Sequence, residues 1–243
     1  MKIALLLPSR QRLNKFLTFL TSVVATAKDI KNVTIVLGVD EDDPNFESYK
    51  RIANNLNFVQ FSSFPQNTFK EQGLSGYWNK MVEECDSDIL AMVGDDMMFK
   101  TEDWDKKIIS TFKQKKDNIH LIHCNDGMRG PGNKYENAAP FAVNSFVHRD
   151  YVDAVGWYVQ DIEPKGFQDT YLDKLFDLLG RKIYFHDIII KHIHFSETGQ
   201  KDKTTEALEK DREGVWDNMD IFNNKLMPRM LDEVKILKEK FNL

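Results

Sequence analysis

Two adjacent carboxylates, Asp95 and Asp96, follow a short apolar run and a single glycine, Gly94. The run, residues 89–93, is continuously apolar, which is typical of a strand buried on both faces. Ligands of open α/β sheets bind beyond the carboxyl ends of the strands, where this acidic pair would lie. Carboxylate oxygens are hard ligands for Mg²⁺ or Mn²⁺, and a cation there would hold a diphosphate. The alternative is a loop that only caps a helix, because Asp is common in turns.

Strands and helices are predicted to alternate along most of the chain. Apolar and β-branched runs predict strands at residues 3–7, 33–39, 58–61, 89–93, 119–124, 141–147, 183–185 and 188–193. Apolar residues at helical spacing predict helices at residues 13–24, 46–55, 73–84, 103–112, 151–157 and 168–179. Residues 125–140 contain three glycines and two prolines and are expected to form a long loop. The alternation predicts an α/β fold whose sheet is mostly parallel and flanked by helices.

Composition limits the class of protein. With 243 residues, 42% of them hydrophobic, the chain can bury the core of one large α/β domain or of a domain plus an appendage. The net charge of -5 provides no overall basic surface for nucleic acid. Beyond residue 199 the composition changes to charged helix with sparse apolar positions, so a separate C-terminal segment is expected.

Cysteine usage and hydropathy predict a cytoplasmic protein without a membrane span. Cys85 and Cys124 have no metal-type spacing and are expected to be reduced and buried. No apolar stretch approaches the length of a transmembrane helix. The first apolar run is too short for a signal peptide, and Arg10, Arg12 and Lys15 follow it directly. We therefore expect that run to be the first strand of the sheet.

Five segments, taken in order, resemble the GT-A fold glycosyltransferases, most closely their large family 2 group. These segments are Pro8-Ser9-Arg10 after the first strand, Asp40 after the second, Gly73 to Asn79 before the acidic pair, Gln168-Asp169, and His192 with His194. The resemblance covers about residues 1–195 and implies a Rossmann-like GT-A domain at residues 1–198. Residues 199–243 would then be a helical extension that packs on this domain or mediates oligomerisation.

The sequence departs from the family pattern at three places. The family's metal motif is usually Asp-x-Asp, whereas Gly94 stands at its first position here. The later acidic pair is Gln168-Asp169, and the segment after the second strand is Asp40-Glu-Asp-Asp-Pro rather than the commoner Asp-Asp-Gly-Ser. Gly94 and Gln168 together motivate a rival interpretation, in which the fold is kept and catalysis is lost.

The resemblance implies a role for each matching residue. Asp96 would coordinate Mn²⁺ or Mg²⁺ bridging the donor diphosphate, and one histidine would complete the ligands, His194 being favoured over His192. Asp169, at the start of a helix, would be the catalytic base that takes the proton of the acceptor hydroxyl. Six residues would contact the donor: Pro8, Arg10, Asp40, Gly73, Asn79 and Asp95. The plain alternatives are turn, capping and packing roles, a surface helix position for Arg10, and a polar position at a strand edge for the two histidines.

The predicted activity is an inverting, metal-assisted transfer of a hexosyl or pentosyl group. The donor would be a nucleotide-sugar, UDP-linked by default, and the acceptor a hydroxyl of a glycan or of a hydroxymethylated DNA base. A non-catalytic sugar-nucleotide binding module is the alternative. A nucleotidyltransferase ranks third, because residues 8–12 lack the glycine that a phosphate loop requires. Sequence alone predicts neither the acceptor nor the oligomeric state.

Overall fold

The computed structural model describes residues 1–66, 68–130, 133–160, 167–193, 195, 199, 201–211 and 222–243. Its strands are β1 (Ile3–Pro8), β2 (Val33–Asp40), β3 (Val59–Phe64), β4 (Ile89–Met92), β5 (Met97–Phe99), β6 (Leu121–Asn125), β7 (Ser145–His148) and β8 (Lys182–His192). Its helices are α1 (Leu13–Thr26), α2 (Phe46–Asn54), α3 (Thr68–Glu84), α4 (Trp104–Gln114), α5 (Arg149–Val155), α6 (Gln168–Leu179), α7 (Lys203–Asp211) and α8 (Met227–Phe241). Every helix in the described part of the chain is too short or too polar to cross a bilayer.

The described strands form one sheet in the order β3-β2-β1-β4-β7-β6-β8-β5. Strands β3, β2, β1 and β4 are parallel neighbours, and β6 and β8 are also parallel. The antiparallel pairs all involve β7 or β5, which are short. The sheet is therefore mixed. Its parallel half brings the carboxyl ends of β1, β2 and β4 to one edge, where ligands of α/β sheets bind.

Two apolar layers bury the sheet between helices. Ile3, Leu5 and Leu7 of β1 point to the layer that contains α1, α2 and α4, and Ala4 and Leu6 point to the other layer. The second layer contains α3, α5, α6 and α8. These five residues of β1 are fully buried, as the continuous apolar run predicts for a strand covered on both faces.

Several predicted elements differ from the structure. The runs at residues 183–185 and 188–193 belong to one strand, β8, whose pairing with β6 shifts register after Cys124. Strand β7 begins at Ser145 rather than at residue 141. Strand β5 was not predicted, because its three residues carry no detectable period and its place in the sheet is determined by pairing with β8. Helix α3 begins earlier than predicted and is broken at Gly73, whose φ of 61° and ψ of -164° are not helical.

A buried carboxylate connects α8 to the rest of the domain. Oε1 of Glu233 accepts hydrogen bonds from Trp157 Nε1 (2.9 Å), Gln160 Nε2 (2.6 Å) and the Tyr171 hydroxyl (2.8 Å). Oε2 is buried and has no hydrogen-bond partner among the described residues. Burial raises the pKa of Glu233, although the three donors oppose this shift. The carboxylate therefore holds α8 in place but is costly in its ionised form.

Substitution of Glu233 by Gln should make the free energy of unfolding less sensitive to pH. The native-state pKa of Glu233 lies above its ordinary value of 4.5. The wild type therefore loses stability as the pH rises from about 4.5 through the native-state pKa, by about 1.4 kcal/mol for each pH unit that separates the two pKa values. The Gln variant keeps an oxygen acceptor and has no charge to bury. Urea titrations at pH 4.5 and pH 8 would measure the difference, and equal pH dependence in both proteins would contradict the expectation.

Candidate active site

A cleft of about 220 Å³ opens at the carboxyl ends of β1 and β4. Its walls come from the loop after β1, the turn between β4 and β5, the first turn of α6 and the end of β8. Six residues considered from the sequence as donor-binding, metal-binding or catalytic residues line it: Pro8, Arg10, Asp95, Asp96, Asp169 and His192. The fold thus gathers into one cavity side chains that are far apart in sequence.

Asp96 and His192 form an ion pair in this cleft, with Oδ1 and Nε2 3.5 Å apart. The pairing of β5 with β8 brings them together, since Met97 lies opposite His192, and Ile193 N donates to Asp96 O at 2.7 Å. Burial favours the neutral form of each group, but their mutual contact outweighs it. The pKa of Asp96 is lowered and the pKa of His192 is raised. His194, the histidine favoured from the sequence, lies outside the described residues.

Gly94 leaves room for the carboxylate of Asp96. A Cβ atom at Gly94 would lie 2.7 Å from Asp96 Oδ1, which is closer than non-bonded atoms approach. Any larger residue would therefore push this carboxylate away from its present position beside His192. Glycine at position 94 is therefore compatible with the present contact between Asp96 and His192.

Asp95 lines the cleft but is occupied by the loop after β1. Its Oδ2 accepts from the Ser9 hydroxyl at 2.7 Å, and its Oδ1 accepts from Arg12 Nη1 at 3.1 Å. Burial raises the pKa of Asp95 to about 6, against the opposing charge of Arg12. The Ser9 hydroxyl is also 3.0 Å from that of Tyr49. This network positions Arg12, which lines the cleft although the sequence assigned it no role.

Arg10 and Arg12 have different partners on either side of Gln11, which adopts a left-handed φ of 56°. Arg10 donates to Asp40 at 2.7 Å and to both oxygens of Asp42, at 2.7 and 2.8 Å. Arg12 instead contacts Asp95 and the C-terminal segment. The sequence signal for Arg12 was its place, four residues after Pro8, in the loop that follows the first strand.

Asp40 lies behind the cleft wall. Its carboxylate accepts from Arg10 and from the hydroxyl of Tyr77, and both of these side chains line the cleft. Burial raises the pKa of Asp40, although Tyr77 and Arg10 counteract this. The described lining residues do not include Asp40, so its position supports Arg10 and Tyr77, and a direct contact with a nucleotide stays a prediction.

Gly73 and Asn79 also lie outside the described lining. Asn79 Oδ1 accepts from the backbone N–H groups of Tyr158 (2.9 Å) and Val159 (3.1 Å), and its Nδ2 donates to Val159 O at 2.8 Å. The amide of Asn79 therefore ties α3 to the loop after α5. Gly73 breaks α3 just before Leu74, whose side chain lines the cleft.

Asp169 lies in the first turn of α6 and lines the cleft. Its Oδ1 accepts from Thr170 N at 2.8 Å. Its neighbour Gln168 is buried and donates from Nε2 to the Ser75 hydroxyl at 3.2 Å, which anchors α6 to α3. An amide serves this anchoring role as a donor, whereas an ionised carboxylate would offer only acceptors.

No group of three or more His, Cys, Asp or Glu residues arranged to hold a metal is found among the described residues. Among the described residues that the sequence suggested as metal ligands, Asp96 and His192 lie next to each other in the cleft. Once His192 gives up its proton, as binding to a metal requires, the pair would offer a carboxylate and an imidazole nitrogen, a donor set suited to Mn²⁺ when the remaining ligands are phosphate oxygens and water.

The fold is that of GT-A-type glycosyltransferases of known structure, which confirms the predicted fold class. The chain superimposes on Staphylococcus aureus TarS 1-349 in complex with UDP with a TM-score of 0.61 and 13% identity, covering 78% of this chain and 59% of that chain. A TarS 1-349 complex with UDP-GlcNAc gives a TM-score of 0.59 and 12% identity, covering 78% and 57%. The mannosyltransferase PcManGT from Pyrobaculum calidifontis, in complex with GDP-Man and Mn²⁺, gives a TM-score of 0.60 and 10% identity. This match covers 96% of this chain and 73% of that chain.

These likenesses concern the fold, since the identities are low. The chain spans about three fifths of the length of TarS 1-349. No protein-family model matches the sequence, and no curated protein sequence matches it.

Proposed function

We propose that this chain is a glycosyltransferase that moves a sugar from a nucleotide-sugar to an acceptor hydroxyl. The observation that carries the proposal is the convergence of Asp96, His192 and Asp169 on one cleft of a GT-A fold. The neighbours in complex with UDP, UDP-GlcNAc and GDP-Man support a nucleotide-sugar donor. UDP-sugars are the first choice and GDP-mannose the second. The acceptor class, a glycan or a modified base, is left to screening.

In the proposed inverting reaction, Asp169 acts as the general base. Its carboxylate takes the proton of the acceptor hydroxyl while that oxygen attacks the anomeric carbon. The bond from the anomeric carbon to the phosphate oxygen breaks on the opposite face, and the nucleoside diphosphate leaves with the bonding electrons. Helix α6 holds Asp169 at a fixed place in the cleft, and rigid placement of the base lowers the entropy cost of the attack.

Asp96 and His192 would hold a divalent cation together with the donor diphosphate. Their oxygen and nitrogen donors fit Mn²⁺ well, whereas Mg²⁺ prefers oxygen alone, and His194 stays a proposed further ligand. When bound, the cation would neutralise the charge that develops on the departing diphosphate. Arg10 and Arg12 add positive charge to the same cleft.

The function is tested by nucleoside diphosphate release from a panel of UDP- and GDP-sugars, with Mn²⁺ or Mg²⁺. We expect slow hydrolysis of one donor, accelerated by the correct acceptor. Binding without turnover, even with a broad acceptor panel, would favour the non-catalytic sugar-nucleotide module instead. If no nucleotide-sugar binds with or without metal, the proposal is wrong.

Substitution of Gly94 by Ala should weaken metal-supported donor binding by about 10- to 100-fold, because the added methyl group displaces the Asp96 carboxylate. The φ of Gly94 lies outside the left-handed region, so backbone strain does not contribute. Calorimetric titration of UDP with Mn²⁺ would measure the loss. Titration in EDTA is the control, since metal-free binding should be unchanged. If the wild type and the Gly94→Ala variant bind UDP with equal affinity in Mn²⁺, the glycine is not needed to leave room for the Asp96 carboxylate.

A further inference from the structure

The carboxylate of Asp202, in the C-terminal segment, is held by two basic side chains at the start of α1. Oδ2 accepts from Arg12 Nε at 3.0 Å and from Lys15 Nζ at 2.6 Å, and Oδ1 accepts from Arg12 Nη2 at 2.8 Å. The contact joins residues about 190 positions apart in the chain. Asp202 also caps α7, because its Oδ1 accepts from Thr205 N at 2.8 Å.

The donor set around Asp202 is also one that binds phosphate. A guanidinium presents two parallel N–H groups that match either a carboxylate or a phosphate, and a lysine adds a point charge. Both residues lie at the N-terminal end of α1, a helix of 14 residues, where the helix dipole favours an anion. A carboxylate in this position presents two acceptor oxygens to these donors, as one edge of a phosphate would.

This cluster borders the cleft of the proposed active site. Arg12 and Thr204 both line the cleft, and the Thr204 hydroxyl donates to Arg10 O at 2.8 Å. The side chain of Arg12 is only 11% exposed, and the edge formed by Nε and Nη2 is covered by Asp202 and by the Thr205 hydroxyl, which accepts from Nη2 at 2.6 Å. An anion can therefore reach that edge only when this start of α7, with Asp202 and Thr205, moves away.

We propose that Arg12 and Lys15 form a phosphate subsite of the cleft, which the carboxylate of Asp202 fills until a phosphate displaces it. The ligand class is the diphosphate of a nucleoside diphosphate, and to that extent the inference rests on the proposed function. Asp95 would keep the guanidinium in place during the exchange, because it binds Nη1 and leaves the other edge to the incoming anion. The segment that begins at Asp202 is then a competitive internal ligand.

The test uses inorganic pyrophosphate in EDTA, titrated calorimetrically into the full chain. Substitution of Asp202 by Asn should tighten pyrophosphate binding by about tenfold, because a neutral amide competes less well for two cations. Substitution of Arg12 by Gln should weaken binding by about tenfold and abolish most of the gain when combined with the Asn substitution. On binding, backbone amides of residues 203–206 in the wild type should exchange hydrogen faster, because α7 loses its anchor.

The matched control is the Asp187→Asn variant, which removes an exposed carboxylate from its 2.9 Å ion pair with Lys107 and should leave pyrophosphate affinity unchanged. The side chain introduced in the Asp202→Asn variant retains an oxygen that can accept from Thr205 N, and thermal melting would verify that the variant is folded. The proposal is overturned if the Asp202→Asn variant binds no more tightly than the wild type, or if pyrophosphate binds to none of the proteins. Because no sugar transfer is measured, this result is independent of whether the proposed glycosyltransferase activity holds.

Discussion

Substitution of Asp169 by Asn should lower sugar transfer by about 10²- to 10⁴-fold, the usual contribution of a general base. An amide can still accept the hydrogen bond from Thr170 N, so the start of α6 should keep its geometry. It cannot take a proton from the acceptor hydroxyl. Donor affinity should change little, because the base acts on the acceptor. The expected signature is therefore a fall in kcat with an unchanged dissociation constant for the donor.

The Asp177→Asn variant is the matched control for this prediction. Asp177 lies on the same helix, is 47% exposed in its side chain and pairs with Lys182 at 2.9 Å. Its amide variant should transfer sugar at the wild-type rate. Initial rates of nucleoside diphosphate release, with the best donor and acceptor, would measure both variants. A variant at Asp169 that keeps more than about a tenth of the wild-type kcat would remove this residue from the role of base.

Substitution of Asp96 by Asn should abolish most of the metal dependence of donor binding and lower turnover by about 100-fold or more, since a cation on the diphosphate contributes several kcal/mol. The amide keeps the size of the side chain but removes the charge that pairs with His192. In the variant, UDP should bind with nearly the same affinity in Mn²⁺ as in EDTA. Calorimetric titrations under the two conditions would measure this.

A control for Asp96 is the Asp88→Asn variant. Asp88 is an exposed carboxylate that lies just before β4, the strand that Asp96 follows. Asp88 accepts from Lys2 N at 2.7 Å. Both residues lie at the amino ends of their strands, at the edge of the sheet opposite to the cleft. Its substitution should leave Mn²⁺-supported binding of UDP intact. If the Asp96→Asn variant retains the full difference between Mn²⁺ and EDTA, Asp96 does not hold the cation.

Elements stabilised by near neighbours in the chain could be predicted from the sequence. Helix α6 was expected at residues 168–179 and is observed at Gln168–Leu179, because its apolar period and the glycine that ends it are local features. The buried strands β1, β2 and β4 were also predicted, since their apolar runs need no partner to be recognised. Strand β5 and the late start of β7 could not be predicted from the sequence. The pairing of such short strands is determined by the neighbouring strands of the folded sheet.

The sequence by itself determined which chemical groups lie at the carboxyl ends of the strands. Only the tertiary structure decided what each group faces. Asp40 and Asp96 both follow predicted strands, but Tyr77 and Arg10 cover the first while His192 lies beside the second. Arg12 contacts Asp202, although no local pattern in the sequence connects the two residues. The role of a carboxylate or guanidinium depends on its partners and its burial, and these come from distant segments that meet only when the chain folds.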